Sequence, residues 1–354
     1  VEVARLDAAI GRYADLVAAG GWASLDPGLA GLQPGVRDAR VTGLRARLRA
    51  SADYTAQMGA DPWFFDAGLV VALRRFQARH GLPGSGLPDG PTLAELNVPA
   101  TERLAQLRAT RVRWGWLPAD LGARHIVANI PFATLTVMVE GEAVIAMRTV
   151  VGHPERPTPS FASRVQAVTF HPEWSVPRRI AVEDLLPQQR ADPGFFSRLG
   201  IGVLDPRGRR VDPARIDWPS LSADRFPYRL VQAAGPANSL GRVKLALDNP
   251  FDIYLHDSPS RPLFGLAYRT LGSGCIRLED AGAVVTWLLA NDRAWTAAET
   301  ATRLAGRRTE TLRLRASPPV WVLYLTTTVE PDGSVHFRRD VYGWDARLAA
   351  ALDP

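Results

Sequence analysis

The sequence predicts an α+β protein of more than one domain, and three observations carry that prediction. A chain of 354 residues exceeds the usual size of a single hydrophobic core. Its apolar residues recur with a period near 3.6 in the N-terminal third and near 2 from His125 onward. A stretch from about Val176 to Pro236, crowded with proline, arginine and aspartate, interrupts the strand pattern before it resumes. With 46% hydrophobic and 22% charged residues, the composition is that of a folded globular chain, which argues against disorder or a collagen-like repeat. No run approaches the ~18 apolar residues that a membrane helix needs.

Taken in order, residues 1–57 read as a helical scaffold. In RVTGLRARLRA the apolar Val41, Leu44 and Leu48 fall on one face and the arginines on the other. Residues 58–100 form a second unit: Leu69, Leu73 and Phe76 make a helical stripe, GLPGSGLPDG breaks it, and Pro91 suits the first turn of another short helix. A connecting helix over 101–120 follows, with Thr101 as its expected cap and Leu104 and Leu107 as its stripe. Residues 121–354 read as one strand-rich domain carrying an insertion at 178–235. HIVANI, TLTVMVE and AVIAMRTVV form a meander, FDIYLHD resumes the strands, and VWVLYLTTTVEPDGSVHFRRDVY ends them with a hairpin at PDG. Between the last two, AGAVVTWLLA reads as a helix.

The net charge is +6 and the pI near 9.9. Lys244 is the only lysine, so nearly all the positive charge is arginine, as GC-rich coding produces. The chain has no basic stripe interleaved with aromatics, so nucleic acid is not an expected partner. An acidic polymer such as cell wall or a membrane surface fits the charge. The six histidines are scattered and there is one cysteine, which supplies no metal set, and no phosphate-binding glycine loop occurs. No metal and no cofactor are expected.

That cysteine lies in YRTLGSGCIRLED. A lone cysteine is commonly a small buried hydrophobe, but Gly272 and Gly274 around Ser273 provide the backbone freedom that presents successive N–H groups to an anion. IRLED and then a helix follow, which places the thiol just before a helix N-terminus and predicts a stabilised thiolate. His256, at the end of the strand FDIYL, is the best-placed base among the histidines, against a structural role for it. Tyr254, two residues earlier, shares its face.

The segment HDSPSRPLFGLAYRTLGSGCIRLED resembles the signature of the L,D-transpeptidase (YkuD-type) catalytic domain, with Ser273 where most members carry histidine. That serine, together with PEWSVP, LLPQQRADPGFF, DWPSLSADRFPYRLVQAAGPANSLGRVKLAL and IYLHDSPS, resembles the large, YcbB-like branch. The 58–100 module is similar to the helical peptidoglycan-binding domain of that branch, and RWGWLP to its connecting element. The resemblance implies a β-sandwich-like catalytic domain with residues 178–235 as a cap or lid, beside a helical scaffold and a small peptidoglycan-binding domain.

It further implies Cys275 as nucleophile and His256 as base, with the backbone of Ser273, Gly274 and Cys275 as the oxyanion site. Arg277 either ties the cysteine loop or meets a substrate carboxylate, and Tyr254 lines the cleft or packs. Asn238 and Gly241 are expected to contact substrate, and Trp174 to wall the donor site or join the core. The implied reaction forms 3→3 cross-links between peptidoglycan stem peptides through a cysteine thioester, releasing D-alanine from a tetrapeptide donor. Alternatives are an L,D-carboxypeptidase, attachment of a protein amine to peptidoglycan, and a non-enzymatic cell-wall scaffold. Expected partners are stem peptides and glycan, with a carbapenem β-lactam adduct on Cys275. The expected location is the periplasm, any signal or anchor at the chain start having been removed.

Overall fold

The apolar stripes of the N-terminal third find their partners in one another. The structure, a computed structural model, describes residues 2–55 and 61–352, and its contacts divide the chain into two units: Val1–Ala119 with Tyr324–Pro354, and Asp120–Leu323.

In the first unit, α1 (Glu2–Ala18), α2 (Val41–Ala50), α3 (Ala67–Arg79), α4 (Gly90–Leu96) and α5 (Ala100–Gly115) follow in order. Val41, Leu44 and Leu48 of α2 and Leu69, Leu73 and Phe76 of α3 are all 0% exposed and share one cluster with Leu93 and Leu96. The scaffold and the 58–100 module thus bury their faces together, while the expected boundary between 57 and 58 lies outside the described residues. Asp66 caps α3 by accepting from the Leu69 N–H at 2.8 Å, and Asp89 caps α4 by accepting from Thr92 at 2.9 Å. At α5 the cap position falls on Pro99, so Thr101 lies inside the helix and is not its cap.

The segment 324–354, read from sequence as the end of the strand domain, packs in the first unit instead. Strands Thr327–Val329 and Val335–Phe337 form the PDG hairpin, with Gly333 at φ +82°, and a helix Trp344–Leu352 follows. Val329, Val335 and Phe337 close a cluster with Leu6 and Tyr13 of α1 and Leu104 and Leu107 of α5. The hairpin's apolar face needs that cover, because two strands alone bury too little to persist in water.

The second unit is the strand domain. β1 (Arg124–Asn129), β2 (Thr134–Val139), β3 (Glu142–Gly152) and β4 (Phe161–Phe170) open it, with Glu140 (φ +49°) and Gly141 (φ +84°) making the tight turn between β2 and β3. β3 and β4 are long and change partners along their length. The first part of β3 pairs with β2, and its end pairs with Thr270–Gly272 and Ile276–Leu278. β4 pairs first with Pro319–Leu323, then with Val243–Leu247 and Glu310–Arg313, shifting register between Val165 and Ala167. Through these partner changes the strands of the domain join into one ten-stranded mixed sheet.

FDIYLHD contributes only Leu255–His256 as strand. The Asn249 side chain accepts from Phe251 N–H (3.0 Å) and Ile253 N–H (3.2 Å) and donates to the Ile253 carbonyl (2.8 Å), folding 249–253 into a turn with Asp252 at φ +54°. The helix Ala281–Asp292 buries Val284, Val285, Leu288 and Leu289 and is capped by Asp280.

The insertion has a core of its own. Four short strands, Trp174–Ser175, Arg229–Gln232, Ile201–Leu204 and Arg210–Val211, pair in that order. Together with the short helices between Arg178 and Arg198 they bury Trp174, Phe196, Val203, Trp218, Phe226 and Leu230. Phe196 and Trp218 meet edge to face at 5.2 Å.

Candidate active site

Three neighbouring strands build the floor of the site. In Val243–Leu247, Leu255–His256 and Ile276–Leu278, the residues Val243, Leu245, Leu255, Ile276 and Leu278 are buried in the core. Alternation along each strand turns Lys244, His256 and Arg277 to the opposite face. Register aligns them: His256 stands opposite Lys244 on one side and Arg277 on the other. All three line a cleft of about 1100 Å³, whose walls include Arg156, Trp174, Tyr254, Ser273, Gly274 and Cys275.

His256 is buried. Its Nδ1 lies 2.5 Å from the Asp257 carbonyl oxygen. A carbonyl only accepts, so in the neutral ring Nδ1 carries the proton. Burial, reinforced by the neighbouring Arg277 and Lys244 cations and opposed by the carbonyls of Asp257 and Leu240, depresses the imidazole pKa to about 3. The ring is therefore neutral near pH 7.

The Cys275 thiol donates to the Asp252 carbonyl at 3.7 Å. Desolvation pushes its pKa above the ordinary thiol value, against hydrogen bonds from Tyr254 and the charges of Lys244 and Arg277. The thiolate expected from a helix dipole is thus not what the structure holds. Strand Ile276–Leu278 and two further residues separate Cys275 from the helix that starts at Ala281, and the dipole acts only within the first turn.

Tyr254 packs its ring 5.6 Å from the His256 ring, and burial, reinforced by the neighbouring Cys275, raises its phenol pKa further above the usual range. It lies beside the thiol because the Ile276 N–H donates to the Tyr254 carbonyl at 3.2 Å.

The cysteine loop is held from below. Gly274 adopts φ +107°, a conformation that suits glycine alone. A Cβ on Gly272 would stand 3.1 Å from the Val151 carbonyl oxygen. Buried Thr158 bridges the loop to β3, donating to the Gly274 carbonyl at 2.7 Å and accepting from the Gly152 N–H at 2.9 Å. The N–H groups of Ser273, Gly274 and Cys275 donate to no backbone or side-chain acceptor among the described residues. Ser273 is exposed and accepts from Arg156 at 3.2 Å, while the same guanidinium pairs with Asp184 (2.5 Å) and Glu183 (2.6 Å) of the insertion.

The family model for the YkuD L,D-transpeptidase catalytic domain matches residues 123–302. This chain belongs to that family. A curated Haemophilus influenzae protein named as an L,D-transpeptidase is 36% identical over 261 residues, 74% of this chain and 51% of its own length. The chain therefore spans about half the length of that relative. Among solved structures, an L,D-transpeptidase from Stackebrandtia nassauensis is 12% identical with a TM-score of 0.29, over 83% of this chain and 95% of that one. The catalytic domain of the E. faecium L,D-transpeptidase, determined as its ertapenem acyl form, is 12% identical with a TM-score of 0.27, over 58% of this chain and 100% of that one.

Within this L,D-transpeptidase domain, Cys275, His256, Arg277, Tyr254, Ser273, Gly274 and Trp174 converge on one cleft. Trp174 does so while also belonging to the insertion core. Asn238 and Gly241 do not reach it. The buried Asn238 amide donates to the carbonyls of Pro172 and Ala233, and its oxygen accepts from Leu240, which makes it a brace for the chain before the lysine strand. Gly241, at φ +62°, lines a separate depression, where a Cβ would strike the Asp257 carboxylate. Sequence reasoning missed Arg156, Thr158, Asp252 and Lys244 as parts of the site. The signal for Lys244 was present: it is the sole lysine, and it sits between two apolar strand residues.

Proposed function

We propose that this chain is a peptidoglycan L,D-transpeptidase acting through a cysteine thioester. The observation that carries the proposal is the pairing of a neutral, Nδ1-protonated His256 with a protonated Cys275 in one cleft, beside three uncommitted backbone N–H groups. The Cys275 sulfur attacks the carbonyl of the third residue of a tetrapeptide stem as its proton passes to His256 Nε2. The N–H groups of Ser273, Gly274 and Cys275 hold the oxyanion, one such donor being worth about 3 to 4 kcal/mol. Collapse breaks the peptide bond, and the imidazolium returns its proton to the departing D-alanine amine. The side-chain amine of a second stem, deprotonated by His256, then displaces sulfur and leaves a 3→3 cross-link.

The insertion 178–235 acts as a cap over the thiol. Its Ile180 and Leu185 line the cleft, and its Asp184 and Glu183 grip Arg156, which also touches the cysteine loop. This supports placing the chain in the YcbB-like branch. The 58–100 module binds glycan, an activity favoured by exposed aromatic rings at Trp63 (55%) and Phe64 (38%). The enzyme works in the periplasm, where its substrate lies, and a carbapenem carbonyl acylates Cys275 in the donor's place.

Mass spectrometry of a disaccharide-tetrapeptide incubated with the protein tests the reading. A cross-linked dimer lacking one D-alanine, absent with Cys275→Ala, supports it. Tripeptide alone would replace it with a carboxypeptidase, and unchanged substrate with a binding role.

A further inference from the structure

The cleft floor carries two cations without a carboxylate partner. Among the described residues neither Lys244 nor Arg277 forms an ion pair, although twenty other pairs involving arginine occur in the molecule. The acids nearest the cleft are committed or peripheral: Asp184 holds Arg156, while Glu173 and Asp252 are exposed. A cation held partly out of water without a counter-charge is costly, and a site that keeps one is prepared for an anion.

Lys244 is the better placed of the two to receive that anion. It is half-buried on the strand directly opposite His256, and its ammonium rests 4.2 Å from the centroid of the Tyr254 ring. That ring and the thiol line the same cleft. An ammonium has three N–H donors, and an aromatic face beneath it does not use them all, so donors remain available to a ligand. The residues on either side of it, Val243 and Leu245, are buried, so strand alternation fixes Lys244 on the cleft side and leaves it no other place to go.

We infer that Lys244 is a specificity residue that binds a free carboxylate of the peptide donor in the cleft that also holds Cys275. This rests on the transpeptidase reading above and deepens it. A donor stem offers that chemistry from two sources: the terminal carboxylate of the departing D-alanine, and the side-chain carboxylate of the diamino acid whose carbonyl is attacked. Either would bring a charge to the cleft floor that the protein itself does not supply.

Steady-state kinetics with three donors separate the possibilities: the free tetrapeptide stem, the same stem amidated at its C-terminus, and the same stem amidated at the diamino-acid side chain. Wild type is expected to prefer the free stem over one of the amides by roughly tenfold or more in kcat/KM, mostly through KM, as a lost charged hydrogen bond requires. The disfavoured amide identifies the carboxylate. Lys244→Met should lose that preference, whatever its effect on the rate common to all three donors, and Lys244→Arg should restore it. A purely structural lysine would slow all three donors alike in Lys244→Met and keep the discrimination, which would overturn the inference. Equal use of all three donors by wild type would overturn it as well. Failure of wild type to turn over any donor would instead refute the transpeptidase function itself, so the two failures are distinguishable.

Discussion

Replacing His256 with glutamine should make the strand unit less sensitive to acid, and the effect can be sized. The folded chain holds the imidazole pKa at about 3, against an ordinary value of 6.5. Between those values the unfolded chain binds a proton that the folded chain refuses, so the unfolded state gains stability as pH falls. The penalty is absent above the unfolded value and grows as pH drops toward the folded one. At ~1.4 kcal/mol per pKa unit, His256 alone should cost about 2 kcal/mol at pH 5 relative to pH 7. Buried His80 of the helical unit is also held well below its usual value, by burial and by Arg79 and Arg103, and adds to acid sensitivity in the same direction. Its contribution is common to both proteins and cancels in the comparison. Urea unfolding of wild type and His256→Gln at both pH values gives the difference directly. Glutamine need not match the absolute stability of histidine, because only the change between the two pH values is compared. If both proteins lose the same stability between pH 7 and pH 5, the imidazole is not held neutral by the fold, and the neutral-pair mechanism fails with it.

Three further outcomes follow from the same geometry. Intact-mass analysis after incubation with a carbapenem should show one adduct on wild type and none on Cys275→Ala; an equal adduct on both would remove Cys275 from the chemistry. Thr158→Val deletes a buried hydroxyl that serves both the Gly274 carbonyl and the Gly152 N–H. It should cost about 1 to 3 kcal/mol in denaturant unfolding and slow carbapenem acylation, because the oxyanion loop loses its tie; unchanged acylation would show that the loop is set by other contacts. Arg156→Met removes the guanidinium shared by Asp184, Glu183 and Ser273. Limited proteolysis should then cut within 178–235 sooner than in wild type, and an unchanged digestion pattern would refute the role of Arg156 in holding the insertion.

Much of the site was legible because its residues are consecutive. Cys275 announces itself as a single thiol just after two closely spaced glycines, and the strand ending at His256 is short enough that alternation alone fixes which side chains share a face. The helical stripes were legible for the same reason, each being a local pattern that later finds its partner. What the sequence hid depended on distance through space. The hairpin at 327–337 continues the strand pattern without a break, and only its burial against α1 and α5 assigns it to the helical unit. Asn238 was expected to contact substrate because ANSLGR resembles a family segment at a strand entry, but its amide is consumed by the carbonyls of Ala233 and of the sequence-distant Pro172.

The thiol is the most instructive case. Closeness to a helix in sequence suggested a thiolate, yet a strand intervenes, and desolvation outweighs the two nearby cations. A protonated resting thiol suits the proposed setting. In an oxidising compartment a permanently exposed thiolate would climb the oxidation ladder without a partner cysteine to rescue it. A protonated thiol is poorly reactive toward oxidants, and under the proposed mechanism it becomes nucleophilic only as its proton moves to His256 in front of an oriented carbonyl. Burial that raises the thiol pKa and lowers the imidazole pKa thus limits stray chemistry while keeping the proton-transfer pair intact. A carboxylate arriving at Lys244 would reduce the positive field that helps depress the His256 pKa, making the imidazole a stronger base when the donor is in place.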